Sequence, residues 1–204
     1  CATATMETAA REALAETRLD NSALRDAALV VGTSSFLFAG EADYRRTLAE
    51  TGQIVMPPLV PPGQVARRVA ADLGIEGPVL TVTTACSSSA NALLVAAALL
   101  RRGEARRALV IGVEGLSATA LSGFHSLLLL DPEGCRPFDA GRRGMQLGEA
   151  VGAVLLEADD TARGGDRLLG GANLCDTHHM TSASPDGSAM RSVMEMALAD
   201  AGLE

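Results

Sequence analysis

Four short apolar runs constrain the fold of this chain more than any other feature: AALVVG over residues 27–32, VLTVTT over 79–84, ALVIGVE over 108–114 and VGAVLLE over 151–157. Each is too short for a stable helix, and their valine, isoleucine and threonine content favours extended backbone. ALVIGVE is apolar on both faces, as a strand inside a parallel sheet must be. Helix-forming stretches lie around them, over Met6 to Leu19, Glu41 to Glu50, Gln64 to Leu73, Ser87 to Arg102, Leu121 to Leu130 and Ser188 to Ala201. Leu168 to Thr177 reads as a further strand. Such alternation predicts a layered α/β fold whose mostly parallel, mixed sheet is covered on its faces.

Punctuation supports these boundaries. Gly74, Gly103 and Gly202 follow helical stretches as C-terminal stops. PPLVPP over 57–62 cannot continue a helix or a central strand, so it must be a rigid extended turn. Asp131 to Gly144 reads as a loop. There is no short-period repeat or low-complexity tract, and the pattern suggests no internal domain boundary.

Composition narrows the packing and the function. Apolar residues make up 48 % of the chain, yet only 2 % are aromatic and tryptophan is absent. The core must therefore close through alanine, valine, leucine and glycine. A net charge of −8 argues against nucleic acid as a partner, because a phosphate backbone needs a concentrated basic face. The pairs Arg45-Arg46, Arg67-Arg68, Arg101-Arg102, Arg106-Arg107 and Arg142-Arg143 read as solvated faces, with a patch for an acidic partner as the alternative. Cys1, Cys86, Cys135 and Cys175 form no CxxC pair, which argues against zinc or a disulfide framework and fits a reducing cytoplasm. No apolar run is long enough to span a membrane, and no leader pattern opens the chain, which starts inside helix-like sequence.

The sharpest chemical signal is TVTTACSSSANALLVAAALL over 81–100. A β-branched strand runs directly into a helix with Cys86 at the junction. A thiol there lies near unpaired backbone N–H groups and the positive end of the helix dipole, which favour a sulfur anion. Its own N–H is an oxyanion donor in waiting. Ala85, Ser87, Ser88, Ser89 and Ala90 are small enough for an acyl chain to approach. The residues alone leave two readings open: a reactive nucleophile, or a buried cysteine beside an ordinary serine cap.

TACSSSANAL resembles the nucleophile motif of the β-ketoacyl-acyl-carrier-protein synthases, ketosynthases of the thiolase superfamily. The resemblance extends to GVE over 112–114, to RPFDAGRRGMQLGEAVG over 136–152 and to HMTSASPDG over 179–187. It implies a thiolase-like fold in which residues 1–204 form the N-terminal half, lacking the first strand and the whole C-terminal half. It implies Cys86 as the acyl-accepting nucleophile of a decarboxylative Claisen condensation with malonyl-acyl carrier protein, in fatty-acid, polyketide or aryl-polyene-like synthesis. Two histidines, a lysine and a second oxyanion amide would come from the C-terminal half. Expected partners are an acyl carrier protein, acyl and malonyl thioesters, and a second ketosynthase-like chain in a homodimer or heterodimer. Half of such a pseudo-dimer alone should expose a large apolar surface, so either tight dimerisation through the Val79 to Thr84 strand region or a missing remainder of the chain is expected. No cofactor is expected.

By the same resemblance Phe124 lines the acyl pocket, and Leu59, Ser35 and Phe36 fall in pocket-lining or gating segments. Glu149 is expected to anchor backbone rather than move protons. Arg143 stands where the family commonly has aspartate, which removes any salt bridge that aspartate would make. Asp176, His178 and His179 cluster as a metal site would, but the resemblance places them in a structural loop, so no metal is expected. His125 reads as an ordinary surface or core residue. The alternative function is a non-catalytic partner like a chain-length factor, or an inactive fragment; the intact TACSSS context speaks for the enzyme.

Overall fold

A computed structural model describes residues 2–16, 21–34, 41–55, 61–158, 166–179 and 182–204. Ser35, Phe36 and Leu59 lie outside the described residues. The elements in chain order are α1 (Ala2–Ala15), β1 (Ala28–Gly32), α2 (Glu41–Thr51), α3 (Pro62–Leu73), β2 (Val79–Val82), α4 (Ser88–Arg101), β3 (Arg107–Glu114), α5 (Ala118–Ser126), β4 (Ala150–Glu157) and α6 (Ser188–Asp200). Where the sequence suggested no boundary, the chain divides into two compact units, Cys1–Glu157 and Ala158–Glu204.

The first unit is built on a four-stranded sheet of order β2-β1-β3-β4. β1 pairs in parallel with β2 and β3, while β3 and β4 are antiparallel. This is the expected mostly parallel, mixed sheet. Alternation along β1 and β3 sorts the core onto two faces. Leu29, Val31, Leu109 and Ile111 pack with Ala10 of α1 and with Ala66, Val69 and Ala70 of α3. Ala28, Val30, Ala108 and Val110 pack with Ala92, Ala96 and Leu99 of α4. Nearly every residue of the α4 side is alanine or valine, which is how a chain with so few aromatics closes its core.

The start of α4 comes close to the sheet backbone. Gly32, Gly112 and Gly152 are register partners in one row across β1, β3 and β4. A Cβ on Gly32 would lie 2.5 Å from the Ser88 carbonyl oxygen, and one on Gly112 would lie 2.6 Å from Ser89 Oγ. Two glycines thus let the first turn of α4 rest on the sheet backbone. At Gly152 a Cβ would meet nothing within 4 Å.

Three expectations are corrected. Leu168 to Thr177 forms no strand: Gly171 N–H donates to Asp200 Oδ2 at 2.9 Å, and a Cβ on Gly170 would lie 2.5 Å from Ala201 N. In this second unit that stretch gives its donor to the end of α6 and packs against it, so it builds no ladder. α5 runs earlier than Leu121 to Leu130 because Ser117 caps it, Oγ accepting from Ala120 N–H at 3.0 Å. It ends in a Schellman motif, with Leu128 N–H bonded to His125 O and Leu129 N–H to Phe124 O. Leu128 takes the left-handed position (φ 56°) that glycine would ordinarily mark. β2 stops at Val82 rather than Thr84, because Ser88 Oγ takes the Thr84 N–H at 2.8 Å.

Gly32→Ala should therefore lower unfolding stability by about 2–3 kcal/mol, since backbone has to move. Gly152→Ala should stay within about 0.5 kcal/mol of the parent. Urea unfolding followed by circular dichroism separates the two; equal losses would show that the close seat of α4 is not what Gly32 provides.

Candidate active site

Cys86 stands at a strained turn between β2 and α4. Ala85, the residue before it, has φ 52°, a left-handed conformation that costs a residue with a Cβ roughly 1–2 kcal/mol. A web of short bonds holds it. Ser88 Oγ accepts from Thr84 N–H and donates to Ala85 O at 2.6 Å. Ser87 Oγ donates to Thr84 O at 2.8 Å. Asn91 Nδ2 reaches back to Thr84 Oγ1, seven residues earlier, at 2.8 Å and to Ser87 Oγ, one turn earlier, at 3.2 Å. Ser88 and Asn91 are buried, whereas Cys86 is exposed. The turn is fixed from beneath and its sulfur is presented outward.

What it faces is a cavity of ≈ 580 Å³ within the first unit. Val110 and Gly112 of β3 and Ala150, Gly152 and Val154 of β4 form its floor. Ser89 and Leu93, three and seven positions beyond Cys86 and hence on one face of α4, form a wall. Phe124 and Ala120 of α5, with Leu116 and Leu147, close another side. The lining is mostly apolar, so a thioester on Cys86 would have room for a hydrocarbon tail. Among the sequence-derived candidates, Cys86 and Phe124 meet in this cavity.

Polar groups gather at one end. Glu114, at the end of β3, accepts from both the N–H and the hydroxyl of Ser34, at 3.1 and 2.7 Å. Glu149 Oε2 accepts from Leu116 N–H at 3.2 Å, an anchoring bond of the kind its place in a tight turn suggested. Sequence reasoning missed Ser34, Glu114 as its partner, and Asn91. GVE marked the carboxylate but not its partner, eighty residues away, and an asparagine inside an alanine-rich helix gave no signal of a reach back past the cysteine.

Beside the cavity, the loop after α5 is pinned by Asp131, which is 2 % exposed. Its carboxylate accepts from Glu133 N–H at 2.9 Å and from Arg136 at 3.3 Å, with Arg143 at 3.9 Å. Arg143 also pairs with Glu133. The Glu133 N–H holds the Asp131 carboxyl below the usual carboxylate range; burial opposes this, and Arg136 and Arg143 add to it. His125 is exposed in the last turn of α5.

In the second unit Asp176 is likewise a backbone anchor. It takes the His178 N–H at 3.0 Å and the Ser184 N–H at 2.8 Å, which lower its pKa in that order. Asp186 accepts from Ser184 Oγ and from the N–H and hydroxyl of Ser188 at the start of α6, and its pKa is lowered to about 2. Among the described residues no group of three His, Cys, Asp or Glu side chains could hold a metal, and no helix is long and apolar enough to cross a membrane.

Comparison with known proteins gives these features a setting. The family described as beta-ketoacyl synthase, N-terminal domain, matches residues 2–162. Nodulation protein E of Rhizobium meliloti is 37 % identical over 207 residues, covering 96 % of this chain and 51 % of that protein. The chloroplastic 3-oxoacyl-[acyl-carrier-protein] synthase I of Arabidopsis thaliana is 33 % identical over 195 residues, covering 88 % and 41 %. A ketosynthase solved in complex with its chain length factor from Xenorhabdus doucetiae superposes with a TM-score of 0.76 at 32 % identity, covering 98 % of this chain and 49 % of that one. The chain thus spans about half the length of the curated relatives it matches, and the fold is the N-terminal half of a thiolase-like ketosynthase.

Because Asp131 has a depressed pKa when folded, its contribution is complete above the unfolded carboxylate pKa of about 4 and is lost as pH falls through the folded value. Asp131→Asn should lower the urea midpoint at pH 7 and lose less stability than the parent between pH 5 and pH 2. A parent and variant with parallel pH profiles would contradict this.

Proposed function

The chain belongs to the β-ketoacyl synthase family, and from that premise we propose that it carries the acyl-accepting nucleophile, Cys86, of a decarboxylative condensing enzyme. The observation that carries this reading is the exposed thiol on a strained, hydrogen-bonded turn facing an apolar cavity that Phe124 also lines. The Cys86 thiolate attacks the carbonyl carbon of an acyl thioester. A sulfur–carbon bond forms, and the carrier's sulfur leaves and takes up a proton. A malonyl thioester then loses carbon dioxide, and its carbanion attacks the acyl carbon. The new carbon–carbon bond expels Cys86 as thiolate, which regains a proton and leaves a β-ketoacyl thioester on the carrier.

Substrates are acyl and malonyl groups on an acyl carrier protein, in fatty-acid or polyketide synthesis. Ser35, Phe36 and Leu59 remain proposed pocket residues beside Phe124. A tail entering between Leu93 and Val154 would run over Gly112 and Gly152, which put no side chain in its way. A second ketosynthase-like chain pairs along β2. That strand lies at the edge of the sheet and leaves Leu80 39 % exposed, a ready template for another strand.

In the natural polypeptide that carries this sequence, mass spectrometry after incubation with an acyl-carrier thioester should find the acyl group on Cys86. Cys86→Ala should abolish both the adduct and condensation. An undiminished adduct in Cys86→Ala sinks the nucleophile; no adduct in the parent, with condensation supplied by a partner chain, favours the non-catalytic chain-length-factor role instead.

Leu80→Asp should convert a dimer to monomer in sedimentation velocity at micromolar concentration. An unchanged assembly places the interface elsewhere.

A further inference from the structure

A second cavity, of ≈ 540 Å³, lies beside the one at Cys86 in the first unit. Leu121, Leu130, Pro132 and Met145 give it a largely apolar lining, and its polar residues His125 and Gln146 are exposed. Leu116 and Leu147 line both cavities, and among the described residues no other does. Helix α5 stands between the two. Its Ala120 and Phe124, one turn apart, line the first cavity, and Leu121 and His125, each one position further on, line the second.

The walls of the second cavity are tied together. Leu130 and Met145 form a β-bridge, with Asp131 N–H donating to Met145 O at 3.0 Å and Met145 N–H to Leu129 O at 2.9 Å. The Asp131 carboxylate at its edge is taken up by Glu133 N–H and Arg136 rather than left unpaired against the lining. At the partition, Glu149 holds the Leu116 N–H and so fixes where that side chain begins. The floor of the first cavity leads there. Val110 pairs with Val154, Gly112 with Gly152 and Glu114 with Ala150, and the chain just beyond that last pair carries Leu116 on one side and Leu147 on the other.

We propose that the second cavity takes the far end of long aliphatic tails carried on Cys86, and that Leu116 and Leu147 are the specificity-determining residues at the step between the cavities. This rests on Cys86 as the acyl acceptor and deepens that reading. Burial of further apolar surface favours the longer tail, and the two leucine side chains that fill the step oppose it.

In the natural polypeptide, N-butyl and N-dodecyl iodoacetamide alkylate Cys86, followed by peptide mass spectrometry with the exposed Cys175 of the second unit as internal reference. The readout is the dodecyl-to-butyl rate ratio at Cys86 divided by that at Cys175. Leu116→Ala removes one side of the partition at an exposed position and should raise this ratio roughly tenfold, the worth of about two further buried methylenes. Leu121 lines the second cavity and not the first. Adding Leu121→Trp to Leu116→Ala fills the second cavity and should return the ratio to within about threefold of the parent. An unchanged ratio in Leu116→Ala, or one that stays raised in the double variant, overturns the proposal. If Leu116→Ala does not fold, Leu147→Ala with and without Leu121→Trp makes the same comparison. Alkylation needs only a reachable thiol, so the two readings fail separately. Acyl transfer to Cys86 with no change in the ratio sinks the second cavity alone, and the expected ratios with no acyl adduct on Cys86 sink the condensing function alone.

Discussion

The close seat of α4 on the sheet is the contact on which the rest of the structure depends. Gly32 and Gly112 bring the first turn of the helix to backbone distance. The chain turns from β2 into that seat with Ala85 in a left-handed conformation. The strain is tolerable because the surrounding bonds leave few alternatives: Ser88 takes the Thr84 N–H that would otherwise extend β2, and Asn91 ties the turn to the second turn of the helix. A side chain at Gly32 would meet the Ser88 and Ser89 backbone and push the first turn outward, and one at Gly112 would displace the Ser89 side chain. Shape complementarity at two glycines thus becomes the placement of a sulfur.

Much of this was legible in the sequence, for a physical reason. β1 and most of β3 are buried on both faces and cannot hide among polar residues, and β4 is apolar even on its open face, so all three runs were found to within a residue or two. Cys86 was legible because a β-branched run meeting a helix former leaves nowhere else for the junction. What stayed hidden depended on partners distant in sequence or on unmarked backbone. Leu128 gave no sign that it would take a glycine's place at the end of α5. Leu168 to Thr177 has strand composition, yet its backbone bonds to the end of α6, and local composition carries no record of that competition. The division after Glu157 escaped notice for a similar reason, since it follows from where contacts close rather than from any change in composition.

Arg143 shows how a departure from a family pattern can be absorbed locally. A cation in place of an anion would ordinarily disturb a buried neighbour. Here Asp131 is the buried charge, and it already needs positive partners; Arg143 lies 3.9 Å from it, joins Arg136, and reaches Glu133 as well. The exposed contact to Glu133 contributes little by itself. The contact to Asp131 matters more, because an uncompensated buried carboxylate is costly. The loop keeps its form because Glu133 N–H and Arg136 do not depend on position 143.

The two faces of the sheet are finished differently, and the difference is where chemistry becomes possible. On the α1 and α3 side, Leu29, Val31, Leu109 and Ile111 are fully enclosed, and Val151, Ala153 and Leu155 of β4 pack against them. On the other side α4 covers β1 and β3, while Ala150, Gly152 and Val154 of β4 open into the cavity beside Cys86. One strand is thus held by its Val151, Ala153 and Leu155 face and left open on its Ala150, Gly152 and Val154 face. Had β4 carried leucines on the open face, the cavity would be filled with side chains and the thiol would face a wall. Small residues there give up packing energy where the proposed acyl chain needs volume, and the densely packed opposite face supports the sheet so that the omission remains a pocket rather than a collapse.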